Sequence, residues 1–383
     1  MTRPELPSRH EETIVRQLLR RAERVRYWWE YRRRLKTLLH AIDPFHTVRL
    51  TTGEQRLVRE FWASYGIHYV NANWYRLFKA LTGTVNPEYI PEETFRVRLE
   101  PLLCRRDVSA AYHDKNQLDR LFADVRRPRT VLRNVYGSYR DGDYTPLDRA
   151  AALSKLATLS GPHFLKPAIS GTGSGMNVAR FEFRDGSFRL GAAQMSLEQI
   201  EQIYVQDFVI QEEVRQHASL SAFHPQSLNT VRMITLRFGG AITPVAATLR
   251  MGNGTHVDNG HAGGLLCGID LTSGALTPQA CDVLFRPFDR HPRSGTTFSG
   301  QAVPSFAAIQ STAVSVHQRL PHFDVVSCDL AVLENGLPCL IEVNTFGQGI
   351  EPHQFLKGAP LFGDRTRAVL ALVAERDRTG WNR

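Results

Sequence analysis

The clearest pattern of apolar and polar residues lies towards the C-terminal end of the chain. Two apolar runs, 325–333 and 339–343, are separated by a short polar stretch that contains Asn335-Gly336. This dipeptide between apolar runs is typical of a β-hairpin with a two-residue type I′ turn. The pattern therefore predicts two antiparallel strands joined at Asn335 and Gly336, with Glu334 opposite Leu337.

The predicted register brings polar side chains together in this hairpin. Asp329 falls opposite Glu342, and Asn344 points to the same face of the sheet as Glu342. Two carboxylates about 5 Å apart repel each other by roughly 3 kcal/mol at an effective dielectric of 20. A bound Mg²⁺ compensates such repulsion, because it takes oxygen ligands from one or two carboxylates and from substrate phosphates. We therefore expect a Mg²⁺ site at Asp329, Glu342 and Asn344; the alternative is an exposed hairpin with one carboxylate protonated or solvated.

Elsewhere the pattern changes at about Ala111. Before this residue the chain is mainly helical, and Thr52 and Gln55 have the spacing of a capping box at the start of one helix. After it, hairpins outnumber βαβ units, which favours an α+β fold over a doubly wound sheet. The further predicted strands are 164–166, 178–183, 208–211, 231–238, 242–251 and 265–269, and the predicted helices lie near 115–124, 146–159, 196–203, 305–319 and 364–376.

A glycine-rich loop between two predicted strands is a second candidate site. Glycine has no Cβ to block close approach, so backbone N–H groups of such a loop can surround phosphate oxygens. The preceding Lys166 is placed to neutralise them, but the lysine precedes the glycines, unlike in a Walker A loop. We expect a flap that binds phosphates; the alternative is a flexible hairpin loop with an incidental lysine. The candidate contacts are Lys166, Ser170, Gly171, Thr172, Gly173 and Gly175.

Composition narrows the class of protein. The 383 residues are 42% hydrophobic and 22% charged, which is ordinary for a soluble globular protein. No apolar run approaches the ~20 residues that span a bilayer, and the N-terminus lacks the apolar core of a signal peptide. The five cysteines form no Cys-x-x-Cys pair, so we expect reduced, mostly buried thiols in a cytoplasmic protein.

Much of the net charge of +9 comes from one segment. Between Arg16 and Lys36 the chain has nine basic and two acidic residues, together with apolar residues at helical spacing. This pattern predicts a basic amphipathic helix. We favour a helix packed on the core with a solvated arginine face, and the alternative is contact with an anionic membrane or partner. No nucleic-acid-binding motif accompanies the charge, so nucleic acid is not an expected partner.

Together these features resemble the ATP-grasp superfamily over roughly residues 105–350. The chain is most similar to the sugar-transfer-associated ATP-grasp proteins, through residues 89–91, 113–116, 208–212, 227–232 and 259–264. The resemblance implies an α+β ATP-grasp fold with a lid subdomain, a C-terminal antiparallel-sheet subdomain and a helical N-terminal region. The implied divisions are 1–105 for the N-terminal region, 106–210 for the linker and lid, and 211–383 for the C-terminal subdomain.

The resemblance also implies roles for single residues. Lys115 and Lys166 take the positions of two lysines that bind the nucleotide phosphates. Arg232 and Arg250 resemble arginines that meet the transferred phosphate or the acyl substrate. His217 stands where a carboxylate more usually contacts the ribose. The other implied nucleotide contacts are Gln211, Glu212, Glu213, Val214 and Asn259.

Two of these assignments have alternatives. Pairing about Gly239-Gly240 with a two-residue loop places Arg232 opposite Ala247 and puts Arg250 on the other face, unless a bulge intervenes. His261 is a candidate base for an incoming amine, and the alternative is a packing or hydrogen-bonding role.

The resemblance implies a reaction. We expect a cytoplasmic ligase that uses ATP and Mg²⁺ to join a small-molecule carboxylate to an amine through an acyl phosphate. The alternatives are a kinase that phosphorylates a hydroxyl and a non-catalytic nucleotide-binding scaffold. The sequence leaves the oligomeric state open, with a homodimer among the options.

Overall fold

The chain folds into two compact units. The computed structural model describes residues 25–26, 29–37, 40, 48–169, 178–204, 207–254 and 263–380. The helical unit joins the residues up to 105 with residues 349–383, and the sheet unit runs from residue 106 to residue 348.

Aromatic side chains form much of the core of the helical unit. Trp62, Trp74, Tyr75 and Phe78 are almost completely buried, and Trp62 donates a hydrogen bond from its indole nitrogen to the Tyr75 hydroxyl. The helices are Thr52–Ala63, Ala72–Thr82, a run made of Glu92–Thr94, the π-helix Phe95–Leu99 and Glu100–Leu103, then Glu351–Lys357, the 3₁₀ turn Gly363–Arg365 and Thr366–Thr379.

The first of these helices begins at Thr52, as the sequence predicts, but its N-cap lies one residue earlier than predicted. Thr51 is the N-cap, and its hydroxyl accepts a hydrogen bond from the Glu54 backbone N–H at 3.2 Å. The Glu54 carboxylate accepts from the Thr51 backbone N–H at 2.7 Å. The predicted box at Thr52 and Gln55 is therefore wrong. A carboxylate in the first turn also interacts favourably with the helix dipole, which an amide does less well.

The basic N-terminal segment is helical over residues 29–37. Leu35 is buried at 2% exposure, whereas Trp29 is 64% exposed and Val25 is 56% exposed. Arg34 pairs with the buried carboxylate of Glu351. Burial raises the pKa of Glu351, but the charges of Arg34 and Arg96 and the hydrogen bonds to the carboxylate together lower it to about 2. One arginine of the predicted solvated face is therefore half-buried and ion-paired with a buried carboxylate of this unit.

The sheet unit contains two antiparallel sheets. The first has the order β3-β2-β1-β8-β4-β5-β6-β7. One face packs on the helices Arg149–Ala157 and Leu197–Tyr204 through a core that includes Leu132, Leu165 and Ile210. Its strands are β1 (Thr130–Val135), β2 (Ser138–Asp141), β3 (Pro146–Leu147), β4 (His163–Pro167), β5 (Ala179–Arg184), β6 (Ser187–Leu190), β7 (Ala193–Met195) and β8 (Phe208–Glu212).

The second sheet has the order β13-β12-β11-β10-β9-β14-β15. Every strand pair described in the two sheets is antiparallel, which confirms the predicted α+β class. The strands are β9 (Thr230–Phe238), β10 (Ala241–Met251), β11 (Leu265–Ile269), β12 (Leu276–Cys281), β13 (Pro287–Phe288), β14 (Val325–Val332) and β15 (Pro338–Asn344). The helix Phe306–Gln318 packs on this sheet, and the shorter helices are Arg106–Tyr112, Leu118–Leu121 and Ala218–Ser221.

The turn between β14 and β15 differs from the predicted one. The Leu333 backbone N–H donates to the Leu337 carbonyl at 2.9 Å, so Glu334, Asn335 and Gly336 form a three-residue loop. Gly336 has a φ of +79°, whereas Asn335 is not among the residues with positive φ. A type I′ turn needs positive φ at both central residues, so this prediction, with Glu334 opposite Leu337, is wrong.

A bulge then restores the predicted register. Leu330 pairs with Leu340, but Asp329 pairs with Glu342, so Ile341 is an extra residue on β15. The predicted pair of Asp329 and Glu342 is therefore confirmed. The extra residue compensates for the longer turn.

A second bulge sets the register of β9 and β10. Pro244 pairs with Thr235 and Ala246 pairs with Ile234, so Val245 is the extra residue. Proline has no N–H to donate to a ladder and is tolerated in strands at bulges. Arg232 therefore lies opposite Thr248, and the predicted partner Ala247 is wrong.

Candidate functional site

One face of the second sheet carries charged residues on neighbouring strands. Asp329 on β14 pairs with Glu342 on β15 and, on its other side, with Arg232 on β9. Directly paired residues share a sheet face. Arg250 pairs with Thr230 and so lies on the same face as Arg232. The bulge at Val245, which the sequence leaves open as the alternative to simple two-residue pairing, thus puts both arginines on one face. The charged cluster is defined here as Lys115, Arg232, Arg250, Asp329 and Glu342.

Asp329 is the centre of the charged cluster. It is buried at 2% exposure. Arg232 donates to both of its carboxylate oxygens, at 2.8 Å from Nε and 2.7 Å from a terminal nitrogen. Arg250 donates to one of the same oxygens at 2.8 Å. Burial raises the pKa of Asp329, but the charges of Arg232 and Arg250 outweigh it and hold the pKa at about 2. Two cations therefore share one buried anion, and the group has a net positive charge at neutral pH.

Lys115 reaches the charged cluster from the segment between two short helices. Its Nζ lies 3.5 Å from Glu342 Oε1. Its backbone N–H donates to the Ala168 carbonyl at 2.9 Å, and Asp114 forms an antiparallel bridge with Ile169. Ala168 follows β4, so this segment touches both sheets of the sheet unit. It thereby places Lys115 beside Glu342.

The second predicted lysine lies on the first sheet. Lys166 Nζ donates to the Gln211 side-chain oxygen at 3.2 Å and lies 5.8 Å from the centroid of the Phe164 ring. Phe164 and Gln211 are paired on β4 and β8, so these side chains share one face. Gln211 also donates to the Thr130 hydroxyl at 3.2 Å. The structure therefore brings together Lys166 and the first residue of the predicted adenine-binding segment.

That segment connects the two sheets. The carboxylates of Glu212 and Glu213 pair with arginines at 3.0 Å and 2.7 Å, respectively, and Val214 is half-buried. The His217 backbone N–H donates to the carbonyl of Val332 at 2.8 Å, which joins the segment to β14. His217 Nδ1 accepts from the Ser219 backbone N–H at 3.2 Å and caps a short helix. The side chain at this position therefore has a local structural role.

Several predicted contacts lie outside the described residues. The strands on either side of the glycine-rich loop do pair, with Leu165 opposite Ala179, which confirms a hairpin. The phosphate contacts of the loop stay predictions, and so do the roles of Asn259 and His261. The predicted contacts outside the described residues are Ser170, Gly171, Thr172, Gly173, Gly175, Asn259 and His261.

The predicted metal ligands meet part of the requirement for Mg²⁺. Asp329, Glu342 and Asn344 present oxygen atoms on one sheet face, which suits a hard cation. Asn344 Nδ2 is buried without a hydrogen-bond partner in the described chain, as is the hydroxyl of Ser327 on the opposite strand. However, both oxygens of Asp329 already accept from guanidinium groups. Within the described residues, no group of three or more His, Cys, Asp or Glu side chains is arranged to hold a metal ion. Glu342 and Asn344 therefore fit a Mg²⁺ site better than Asp329 does.

A buried polar network holds the strand ends that carry the arginines. Asn229, fully buried, donates to the carbonyls of Leu220 and His224 at 2.8 Å and 3.1 Å. The Ser227 hydroxyl accepts from the Gly252 backbone N–H at 3.1 Å. A Cβ at residue 252 would lie 2.4 Å from that hydroxyl, so only glycine fits there. The network joins the residues before β9 to the end of β10. The segment 227–232 stands out in the sequence through the family resemblance, but the sequence does not predict that it forms this network.

All five cysteines are buried thiols outside any disulfide bond, as the sequence predicts. Burial raises the pKa of Cys267 to about 11 and that of Cys339 to about 11. Both thiols are therefore protonated at neutral pH and are poor nucleophiles.

Across the described part of the chain, no helix combines the length and the apolar character needed to cross a membrane.

Comparison with known proteins identifies a family. The sequence model described as sugar-transfer associated ATP-grasp matches residues 94–369, more than two thirds of the chain. No curated protein matches the chain.

Solved structures with similar folds include three ligases. The L-amino acid ligase from Bacillus licheniformis is 14% identical, with 69% of this chain and 48% of that chain covered and a TM-score of 0.39. The VanG D-Ala:D-Ser ligase from Enterococcus faecalis is 14% identical, with 70% and 64% covered and a TM-score of 0.42. The D-alanine–D-alanine ligase from Bacillus anthracis, complexed with ATP, is 12% identical, with 74% and 69% covered and a TM-score of 0.38. The chain thus spans about half the length of the first of these proteins and less than two thirds of the second.

Proposed function

Because the chain belongs to the sugar-transfer-associated ATP-grasp family, we propose that it is an ATP-dependent ligase that joins a carboxylate to an amine. The observation that carries the proposal is the charged cluster. Its lysine and two arginines converge with two carboxylates on one face of the second sheet. Phosphoryl transfer requires mainly positioning and neutralisation of charge, and this group of side chains supplies both.

The proposed roles follow from the positions of the side chains. Lys115, on the segment beside the second sheet, and Lys166, on the first sheet, bind the nucleotide phosphates. Arg232 and Arg250 stabilise the charge that moves with the transferred phosphate, or bind the carboxylate that accepts it. The segment from Gln211 to Val214 binds the adenine, as the family resemblance implies. The described geometry supports these roles, because Lys115 lies beside Glu342 and both arginines donate to Asp329, which pairs with Glu342.

Glu342 and Asn344 are the residues that would hold Mg²⁺. When bound, the ion neutralises phosphate charge and orients the transferred group. Asp329 becomes available as a ligand when its arginines turn to an anionic substrate, and until then the ion pairs stabilise the carboxylate. The proposed substrates are a small-molecule carboxylate and a small-molecule amine.

In the proposed reaction, the γ-phosphoryl group first moves to a carboxylate oxygen. The amine then attacks the carbonyl carbon and phosphate leaves. The glycine-rich flap, with Ser170, Gly171, Thr172, Gly173 and Gly175, would cover the acyl phosphate and exclude water. Asn259 would contact the phosphate or the substrate, and His261 is the proposed base for the amine.

Replacing Glu342 tests the proposal. Glu342→Gln keeps the shape of the side chain but removes its charge, and we expect it to abolish turnover in a folded protein. Glu334→Gln is the matched control, because Glu334 lies on the same hairpin and is exposed. A screen of carboxylates and amines for release of phosphate, with mass spectrometry of the products, measures the activity.

The outcome separates the candidate reactions. Phosphate release that needs both a carboxylate and an amine supports the ligase. A stable phosphorylated product instead indicates a kinase, and full activity of Glu342→Gln would remove the proposed metal ligand.

A further inference from the structure

His113 connects the segment of Lys115 to the end of β15. Its Nε2 atom lies 3.2 Å from the Thr345 backbone nitrogen and 3.1 Å from the Thr345 hydroxyl. The Ser109 hydroxyl is 3.3 Å from the same ring nitrogen and 2.8 Å from the Thr345 hydroxyl. Ser109 and Thr345 are buried at 4% and 0% exposure. Thr345 directly follows Asn344, so His113 is attached to the strand end that carries Glu342 and Asn344.

The direction of one of these hydrogen bonds fixes the role of the ring nitrogen. A backbone N–H can only donate, so Nε2 of His113 accepts from Thr345. The ring is therefore neutral, with its proton on Nδ1. Burial lowers the pKa of His113, and this effect also favours the neutral ring at pH 7.

The same short segment is attached to the first sheet on its other side. The Lys115 backbone N–H donates to Ala168 at 2.9 Å, and Ala168 in turn donates to Asp207 at 2.8 Å. Ala168 lies two residues after Lys166. The segment from His113 to Lys115 is therefore fixed at one end to the second sheet and at the other end to the first.

We propose that His113 is a positioning residue that holds Lys115 beside Glu342 and thereby sets the affinity for nucleotide phosphates. This inference rests on the proposed function, in which Lys115 binds those phosphates. Without the hydrogen bond to Thr345, the segment loses its attachment to β15. Lys115 then has to be ordered when the nucleotide binds, and this entropy cost weakens binding.

Two substitutions of His113 distinguish its hydrogen bond to Thr345 from the simple filling of space by its side chain. In His113→Gln the amide oxygen can take the place of Nε2 and accept from Thr345, and we expect nucleotide affinity to be retained. In His113→Asn the side chain is one carbon shorter and does not reach Thr345, and we expect ADP to bind roughly tenfold more weakly. Isothermal titration of ADP, with and without Mg²⁺, measures both variants in the absence of turnover.

A double-mutant cycle with Lys115→Ala tests whether His113 acts through the lysine. We expect His113→Asn to have no further effect on ADP affinity in the Lys115→Ala protein. His317→Asn is the matched control. His317 is a buried histidine of the same unit, hydrogen-bonded to Thr235 at 2.7 Å and to the Phe323 carbonyl at 2.9 Å. Its replacement should lower stability and leave ADP affinity unchanged.

The possible results separate the two proposals. If Lys115→Ala does not weaken ADP binding, the nucleotide site of the proposed function is overturned. If Lys115→Ala weakens binding but His113→Asn does not, the role of His113 alone is overturned. The role of His113 is also overturned if His113→Asn weakens ADP binding equally in the wild type and in Lys115→Ala. It is overturned as well if His317→Asn weakens ADP binding as much as His113→Asn does.

Discussion

Asp329 illustrates how single residues decide the character of the site. The sequence predicts a pair of carboxylates that need a cation, and Asp329 does face Glu342. The need is met within the chain, because Arg232 and Arg250 both donate to Asp329. The sequence does not predict these ion pairs, because the one with Arg232 depends on the pairing of β9 with β14 and the one with Arg250 depends on the bulge at Val245. The two arginines supply positive charge at Asp329, and the Mg²⁺ site stays a prediction.

We expect Asp329→Asn to destabilise the sheet unit. Removal of one partner from a buried ion pair typically costs about 3–5 kcal/mol, because the remaining charge stays buried without compensation. Here two guanidinium groups lose their shared carboxylate. Urea unfolding measures the change, and Asp377→Asn, at an exposed position of the last helix, is the control for loss of one negative charge. A loss as small as that of the control would contradict the assigned role of Asp329.

The same residue predicts a dependence of stability on pH. The pKa of Asp329 is lowered to about 2 in the folded protein, compared with about 4 for an aspartate in an unfolded chain. Its contribution is therefore fully present above about pH 4 and is lost as the pH falls towards 2. The difference in unfolding free energy between the wild type and Asp329→Asn should shrink from pH 6 to pH 2.5. A difference that stays constant over this range would rule out the ion pairs as its cause.

At the scale of elements, the sequence predicts strands and hairpins better than their turns and bulges. The pair of Asp329 and Glu342 is correct, although the turn has three residues, because the extra residue Ile341 compensates for it. For Arg250 no second irregularity restores the register of simple two-residue pairing, so its sheet face is set by the bulge at Val245. The signal for this bulge was Pro244, which cannot donate to the ladder. Short strands such as β2 and β6 and the early strand β1 were missed, because four to six residues give little periodicity.

The start of the helix Thr52–Ala63 gives a test at this scale. We expect Thr51→Ala to cost about 1 kcal/mol, since its hydroxyl caps the Glu54 N–H. Thr52→Ala is the matched control, one position along, and should have little effect. Thermal unfolding and hydrogen exchange at residues 53–55 measure both variants. The assigned cap would be refuted if Thr52→Ala proved the more damaging change.

For the whole molecule, the fold class and the family could be predicted from the sequence, and both are confirmed. The order of the motifs carries the resemblance, and the lysine, the glycine-rich loop and the acidic hairpin all lie within the residues 94–369 that the family model matches. The identity of the substrates is not encoded in that order. It depends on side chains that converge from separate parts of the chain. His113 and Thr345, for example, are in contact although they lie 232 residues apart in the sequence.

The proposed reaction makes a prediction about the fate of one oxygen atom. If the γ-phosphoryl group moves to the carboxylate and is then displaced by the amine, the products are ADP and phosphate, and one former carboxylate oxygen leaves with the phosphate. With the substrate carboxylate labelled with ¹⁸O, we expect the label in inorganic phosphate, measured by mass spectrometry. A control without the amine should release little labelled phosphate, because the acyl phosphate then stays on the protein, covered from water. Label in AMP would indicate adenylation, and a stable phosphorylated product that retains the label would indicate a kinase. Label in AMP would overturn the acyl-phosphate route, and the kinase product would overturn the ligase proposal; both leave membership of the family intact.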